Sequence, residues 1–454
     1  MKIIILFITI VGFLFNQVQG QKKFDSTVYL QEFKNILAPF SFSFDTSKSQ
    51  NDKLSDEEKL QGLGQVWYEA KFNFANFDLV PHLNWDSAYR SFIPKVLATK
   101  DILSYYQELK KFNQLLQDGH SRVLEPMHYF LQKGNVPFVF EYIDGKVVLA
   151  SILNNSEDYR KAKIGWIATS VNGVPIQEYI REKVSPYLNF STPQDSISRI
   201  YRNELLNGNS NEDVRVGFIT LEGKSIEQTF HRLKSGSDTV PVRFSILPGN
   251  IGHVMINSFE SEKTVGMFDS LFSQIIKTDA LIIDVRRNGG GNSNNGFEII
   301  GYLMDKPFKT NFSVLHQYRP SYRAWGNDPL VLEINNYDWK PYKNKLYAKP
   351  VIVLTGPATY SAAEDFTGAF KTSGRGQIVG APTGGSTGQP LGYNLPGGGL
   401  GFVCTKRDYM SDGTEFVGIG IMPDVLVKPT LKGIQQGKDE VLEKAIELIK
   451  NELK

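Results

Sequence analysis

Residues 351–366 read Val351-Ile352-Val353-Leu354-Thr355-Gly356-Pro357-Ala358-Thr359-Tyr360-Ser361-Ala362-Ala363-Glu364-Asp365-Phe366. Four apolar, mostly β-branched residues, Val351 to Leu354, are bounded by Gly356 and Pro357, which predicts a short buried strand. From Ala362 the composition turns helical and stays so until near Gly374. Ser361 therefore falls where a strand has turned and a helix begins. A hydroxyl there is held beside the free N–H groups of the first helical turn, which favour developing negative charge. This is the logic of a serine nucleophile on a strand–turn–helix junction. Ser361 also fits an N-cap with Glu364 as the third-position partner of a capping box, and the two roles are compatible.

Around this stretch, from about Pro241, strands alternate with helices. Ile251 to Phe259, Ala280 to Val285 and Gln377 to Val379 read as strands. Ser261 to Thr278, Asn295 to Met304 and Lys438 to Leu453 read as helices. Such alternation predicts a sheet covered by helices. Residues 137–233 read instead as a β-rich module. Its strand candidates are Phe138 to Glu141, Lys146 to Ile152, Trp166 to Val171, Asp213 to Ile219 and Ser225 to Phe230. Asp144-Gly145 and Asn172-Gly173 are its turn signals. Gly165 to Ile176 resembles the strand–turn of a PDZ domain, a module that takes an extended peptide as an added strand. Gln177 to Leu206 would be a helical insert within it.

Residues 21–130 read as a helical domain with an aromatic core, built from Leu60 to Phe74, Ala88 to Leu97 and Asp101 to Leu116. Its last helix should stop at Gly119, a C-cap signal, leaving His120 just past the helix end. At the N-terminus, Met1-Lys2 precedes the apolar run Ile3 to Phe15 and the stretch Asn16 to Gly20, which predicts a signal peptide over residues 1–20 and a secreted or periplasmic protein. The run is too short to span a bilayer, and no other segment could cross one.

Composition narrows the function. Lys+Arg 50 against Asp+Glu 48 leaves almost no net charge, so nothing points to nucleic acid. Cys404 is the single Cys, which excludes an internal disulfide; it lies in the strand-like run Leu400 to Thr405 and reads as buried and structural. The six His include no i, i+4 pair and join no cluster at metal-ligand spacing, so neither a metal nor a cofactor is expected. Asp284-Val285-Arg286-Arg287-Asn288-Gly289-Gly290-Gly291 follows a buried strand. Its glycines let backbone N–H groups approach a substrate, as half of an oxyanion hole would require, although a tight turn explains them equally. The spacing does not fit a phosphate-binding loop.

Taken together, Asp118-Gly119-His120, the Asp284 to Gly291 segment, Thr359 to Asp365, Gly380-x-x-Thr383-Gly384-Gly385 and Gly418 to Asp424 resemble the C-terminal-processing (tail-specific) serine peptidases and the core of tricorn protease, over about residues 60–435. The resemblance implies an α+β multidomain chain: an N-terminal helical domain, a PDZ-like module and a crotonase-like α/β core over residues 241–454. It implies a serine endopeptidase acting on extended or C-terminal polypeptide segments. Ser361 would be the nucleophile, with the N–H of Ala362 and that of Gly289 or Gly290 binding the oxyanion. Tail-specific members place a Lys downstream of the Ser, at the position held here by Ser386, so that dyad is missing. The tricorn-like branch uses a His, which assigns His120 as general base. Its orienting carboxylate is expected near the C-terminal Gly-Ile-x-Pro-Asp motif, where Glu415 is the choice and Asp412 and Asp408 the fallbacks. A non-catalytic ligand- or peptide-binding protein on the same scaffold is the alternative; retention of both Ser361 and His120 argues against it. The sequence leaves the oligomeric state open.

Overall fold

The computed structural model describes residues 24–36, 53–234, 240–342 and 344–454. The predicted signal peptide lies outside the described residues. The chain divides into two units, residues 1–43 and 44–454. The described part of the first contains one helix, Ser26–Ile36. All other elements belong to the second unit.

Three helices come first: α1 (Asp56–Asn73), α2 (Trp85–Leu97) and α3 (Ile102–Gln114). Each starts at a side-chain cap, Ser55, Asn84 or Asp101, which satisfies an N–H group the helix itself leaves unpaired. Their apolar faces meet through Leu63, Val66, Leu109 and Phe112, with Trp85 stacked on Phe112 at 4.2 Å. Burial of each such side chain contributes about 1.5–3 kcal/mol. Tyr393, Leu395, Val403 and Cys404, from far along the chain, complete this core. Strand β1 (Arg122–Leu124) follows α3 and pairs antiparallel with Gly399–Cys404, Arg122 opposite Phe402. Gly119 is not the C-cap. The helix stops at Gln114, and Gln117 takes the left-handed conformation at φ 48°.

An antiparallel six-stranded sheet comes next: five strands run in the order β2 (Phe138–Ile143), β3 (Lys146–Ile152), β4 (Ile167–Val171), β5 (Asp213–Ile219) and β6 (Ser225–His231), and the short strand Val174–Pro175 pairs with β4. The expected turns form where Asp144-Gly145 and Asn172-Gly173 supply consecutive positive φ angles. Phe140, Leu149, Val214, Phe218 and Phe230 are buried in a core of its own. Residues 177–206 are not one helix. They form short turns, Ile176–Tyr179, Ile180–Val184 and Ser185–Tyr187, and then α4 (Pro193–Arg199), which runs on into Ile200–Glu204. Pro186 and Pro193 each stand in the first turn of a new segment because they cannot supply an interior N–H.

A second six-stranded sheet runs in chain order: β7 (Val242–Leu247), β8 (Ile251–Ile256), β9 (Ala280–Asp284), β10 (Val351–Thr355), β11 (Gln377–Gly380) and β12 (Val425–Leu426). β7 and β8 are antiparallel; every later pairing is parallel. Side chains alternate between two cores. Leu281, Ile283, Val351 and Val353 face α5 (Lys263–Ile275), α6 (Ser293–Gly301) and α7 (Ala362–Ser373). Ile282, Ile352, Leu354 and Val379 face α8 (Glu440–Glu452) through Val441, Ala445 and Ile449. Covered on both faces, the central strands must be apolar throughout, which is the pattern of Val351 to Leu354. Among the described residues no helix is long and apolar enough to cross a membrane.

Candidate active site

Ser361 ends the turn from β10 into α7. Its backbone sits at φ 56°, ψ −127°, a region that L-residues rarely adopt. Four bonds hold it there, one of them from the Asp365 N–H to its carbonyl at 3.2 Å. Its N–H donates to the Ser386 carbonyl at 3.1 Å and to Glu364 Oε2 at 3.2 Å, and its own carbonyl accepts from the Glu364 N–H at 2.7 Å. The turn is tied to the loop after β9: Thr359 Oγ1 donates to the Val285 carbonyl at 2.8 Å, and the Tyr360 N–H to the Asn288 carbonyl at 3.0 Å. The glycine loop thus lies against the serine. A Cβ on Gly290 would fall 2.7 Å from Ser361 Cβ and 2.9 Å from Ala362 N.

His120 arrives from the segment between α3 and β1. Buried Asp118 shapes that segment by accepting the His120 N–H at 3.1 Å and the Ser121 N–H at 2.6 Å. The Gly119 N–H donates to Ser191 Oγ at 2.9 Å. The imidazole uses both nitrogens: Nε2 lies 3.0 Å from Ser361 Oγ and Nδ1 lies 2.8 Å from Ser386 Oγ. With Nε2 as acceptor, Ser361 donates to it and Nδ1–H donates to Ser386. The ring stacks on Tyr360 at 5.0 Å, and the Arg199 guanidinium lies 4.7 Å from the same Tyr360 ring. Gly119 is glycine because of this packing: a Cβ there would fall 2.1 Å from Tyr360 Oη and 2.8 Å from Arg199 Nη2. Desolvation, then the charges of Arg199, Arg122 and Lys406, push the imidazole down to about 3, so it is neutral across the physiological range.

Glu364 joins the two sides. It is fully buried, and it accepts from Thr383 Oγ1 at 2.6 Å, the Gly385 N–H at 2.7 Å and the Ser386 N–H at 2.9 Å, besides the Ser361 N–H. Burial pushes its carboxyl up to about 8 against the pull of these donors. One side chain thereby fixes the Ser361 backbone and the loop that carries Ser386.

The expected oxyanion donors divide. Among the described residues the N–H groups of Gly289 and Ala362 have no hydrogen-bond partner, whereas the Gly290 N–H donates to Asn288 Oδ1 at 2.9 Å and is engaged. Gly290 serves by its missing Cβ instead. The structure does not bring Glu415 to His120. Glu415 is exposed, bridges Tyr409, and the place at Nδ1 is filled by Ser386. Neither fallback replaces it: Asp408 is buried but pairs with Lys406 at 2.8 Å, and exposed Asp412 accepts from the Thr414 N–H at 3.0 Å. Sequence reading also missed the segment around α4. Thr192 Oγ1 donates to the Gly384 carbonyl at 2.8 Å, and Gln194 Nε2 to the carbonyls of Thr383 at 3.1 Å and Ile419 at 2.6 Å. Cys404 is buried in a strand, as expected.

Residues 250–427 match the sequence model described as Peptidase family S41. The chain is 25% identical over 350 residues to a chloroplastic C-terminal processing peptidase of Tetradesmus obliquus, an alignment covering 71% of this chain and 68% of that protein. It is 23% identical over 404 residues to a carboxyl-terminal-processing protease of Picosynechococcus sp., covering 82% and 84%. In fold it is similar to mature CPAF, with a TM-score of 0.69 at 16% identity over 87% of this chain and 98% of that one. It is also similar to a photosystem II D1 C-terminal processing protease, with a TM-score of 0.52 at 20% identity over 84% and 98%.

Proposed function

We propose that this chain, a serine peptidase whose residues 250–427 form a domain of peptidase family S41, is a secreted or periplasmic endopeptidase that hydrolyses extended or C-terminal polypeptide segments through an acyl-enzyme. The observation that carries the reading is the 3.0 Å contact between His120 Nε2 and Ser361 Oγ beside two unpaired backbone N–H groups. Ser361 Oγ attacks the scissile carbonyl carbon while His120 Nε2 takes its proton. The oxyanion forms against the N–H groups of Gly289 and Ala362, reinforced by the N-terminus of α7. His120 then gives the proton to the leaving amine, and water, deprotonated by the same nitrogen, releases the acyl group. Ser386 holds the Nδ1–H tautomer in a role usually filled by a carboxylate. A neutral hydroxyl leaves the imidazole without a fixed counter-charge, in keeping with its lowered pKa.

Residues 137–233 are proposed to act as the PDZ-like module that delivers the polypeptide, residues 21–130 as the helical domain and residues 241–454 as the crotonase-like core. The secreted or periplasmic location rests on the signal peptide read at residues 1–20. The test is labelling with a fluorophosphonate probe. Wild type labels, and Ser361→Ala and His120→Ala do not. Undiminished hydrolysis of unfolded peptides by folded Ser361→Ala would sink the proposal.

A further inference from the structure

A cavity of about 550 Å³ lies between α3, β1 and the segment from Tyr179 to Gly208. Gly119 and Arg122, on either side of His120 in sequence, both line it, so its wall includes the segment that carries the base. Its lining holds five cations, Lys110, Arg122, Lys133, Lys183 and Arg199, against two carboxylates, Glu125 and Glu204. Part of that charge is neutralised in place. Lys110 and Lys133 both pair with buried Glu125, and Arg199 pairs with Asp195 at 2.6 Å. Burial would raise the Glu125 carboxyl, but the two lysines hold it down at about 2. Arg122 and Lys183 have no carboxylate partner among the described residues. Between the cations the wall is apolar, with Tyr106 and Leu188 in it. Two cations without a carboxylate, Arg122 packed over the Phe402 ring at 5.2 Å and Lys183, in a concave, partly apolar wall attract an anion carried on an aliphatic stem.

Building on the serine-peptidase reading, we propose that this cavity is a specificity site that takes a carboxylate of the polypeptide substrate, held by Arg122 and Lys183 near the scissile bond. That carboxylate is an acidic side chain; the amidated peptides control for the free C-terminus, which presents the same group to a guanidinium. Lys110 and Lys133, both paired with Glu125, form a set with one cation in excess behind it and give the wall its shape. The site sits on the helical segment and the α4 region.

The experiment compares kcat/KM for peptides that share one cleaved bond. Glu replaces Gln at single positions on either side of that bond, and each peptide is made with a free and with an amidated C-terminus. Wild type is expected to favour the carboxylate form at one position by about tenfold or more, a preference that Arg122→Gln/Lys183→Gln reduces to within about twofold. The Glu/Gln arm and the free/amidated arm separate the two sources. Equal rates for all pairs in wild type overturn the proposal. If no peptide is cleaved, binding of the same peptides to Ser361→Ala, followed by fluorescence anisotropy, decides it independently. A carboxylate preference lost in Ser361→Ala/Arg122→Gln/Lys183→Gln upholds the site while the peptidase reading fails; no preference sinks the site.

Discussion

Ser361 and His120 stand 3.0 Å apart, yet they are held there by unlike means. Ser361 is placed mainly by contiguous chain, a buried strand, a sharp turn and the helix whose own Glu364 reaches back to its N–H, with the Ser386 carbonyl and the loop after β9 as remote anchors. His120 is placed by contacts from three remote segments: the α4 region, through Ser191 on Gly119 and Arg199 on Tyr360, then Tyr360 itself, and Ser386. The nucleophile is therefore a local device and the base a tertiary one. Disturbing the serine side should cost stability, because its supports are buried in the core. Disturbing the histidine side should cost rate, because its supports set only an orientation.

The strongest test of this asymmetry is His120→Ala. It is expected to lower kcat/KM about ten-thousand-fold while the melting curve stays close to wild type. Glu364→Ala should behave oppositely. It strands several buried N–H groups and lowers the unfolding free energy by about 3 kcal/mol in urea titrations. The raised carboxyl pKa gives this a pH signature. The native state holds the Glu364 proton more tightly, so its contribution is complete below the unfolded value of about 4.3 and is lost as pH rises through about 8. The stability gap between wild type and Glu364→Ala should thus narrow at alkaline pH.

Gly119→Ala comes next. Its methyl must displace the Tyr360 ring that flanks the imidazole, and kcat/KM should fall about a hundredfold with little change in stability. Ser386→Ala is the mildest, expected to slow probe labelling and kcat about tenfold, near 1.4 kcal/mol. The pH profile sharpens it. The active imidazole is the neutral one and its pKa is lowered, so activity disappears only as pH falls through that lowered value. The acid limb should therefore lie well below the 6.5 of an ordinary His in both proteins. A limb near 6.5 would mean the ring faces a counter-charge that the geometry does not provide.

Legibility in the sequence followed the same divide. Val351 to Leu354, Ser361 and Glu364 could be read because strand, turn and cap obey short-range rules. Ser386 was legible only as a Lys that is not there; its positive role depends on His120, which lies 266 residues away in the chain. Gly119 resembled a helix stop because glycine commonly ends helices, whereas its reason is the Tyr360 ring above it. Thr192-Pro193 signals only a helix start, and neither Thr192 nor Gln194 signals its distant partner, since a cap or polar turn and a clamp on a remote carbonyl look alike in one dimension. Glu415 drew attention through spacing to a motif, and spacing does not report which way a loop turns.

The pairing of Arg122 with Phe402 has a consequence for the order of events in the life of the molecule. A ribosome releases the base first and the nucleophile 241 residues later. The strand that seats the His120 segment follows later still, so contacts of this span form last and slowly. Until the final third of the polypeptide has been made and has closed back on the first, no proton acceptor faces a hydroxyl. The growing chain, the unfolded peptide nearest to hand, is never exposed to a finished site of its own.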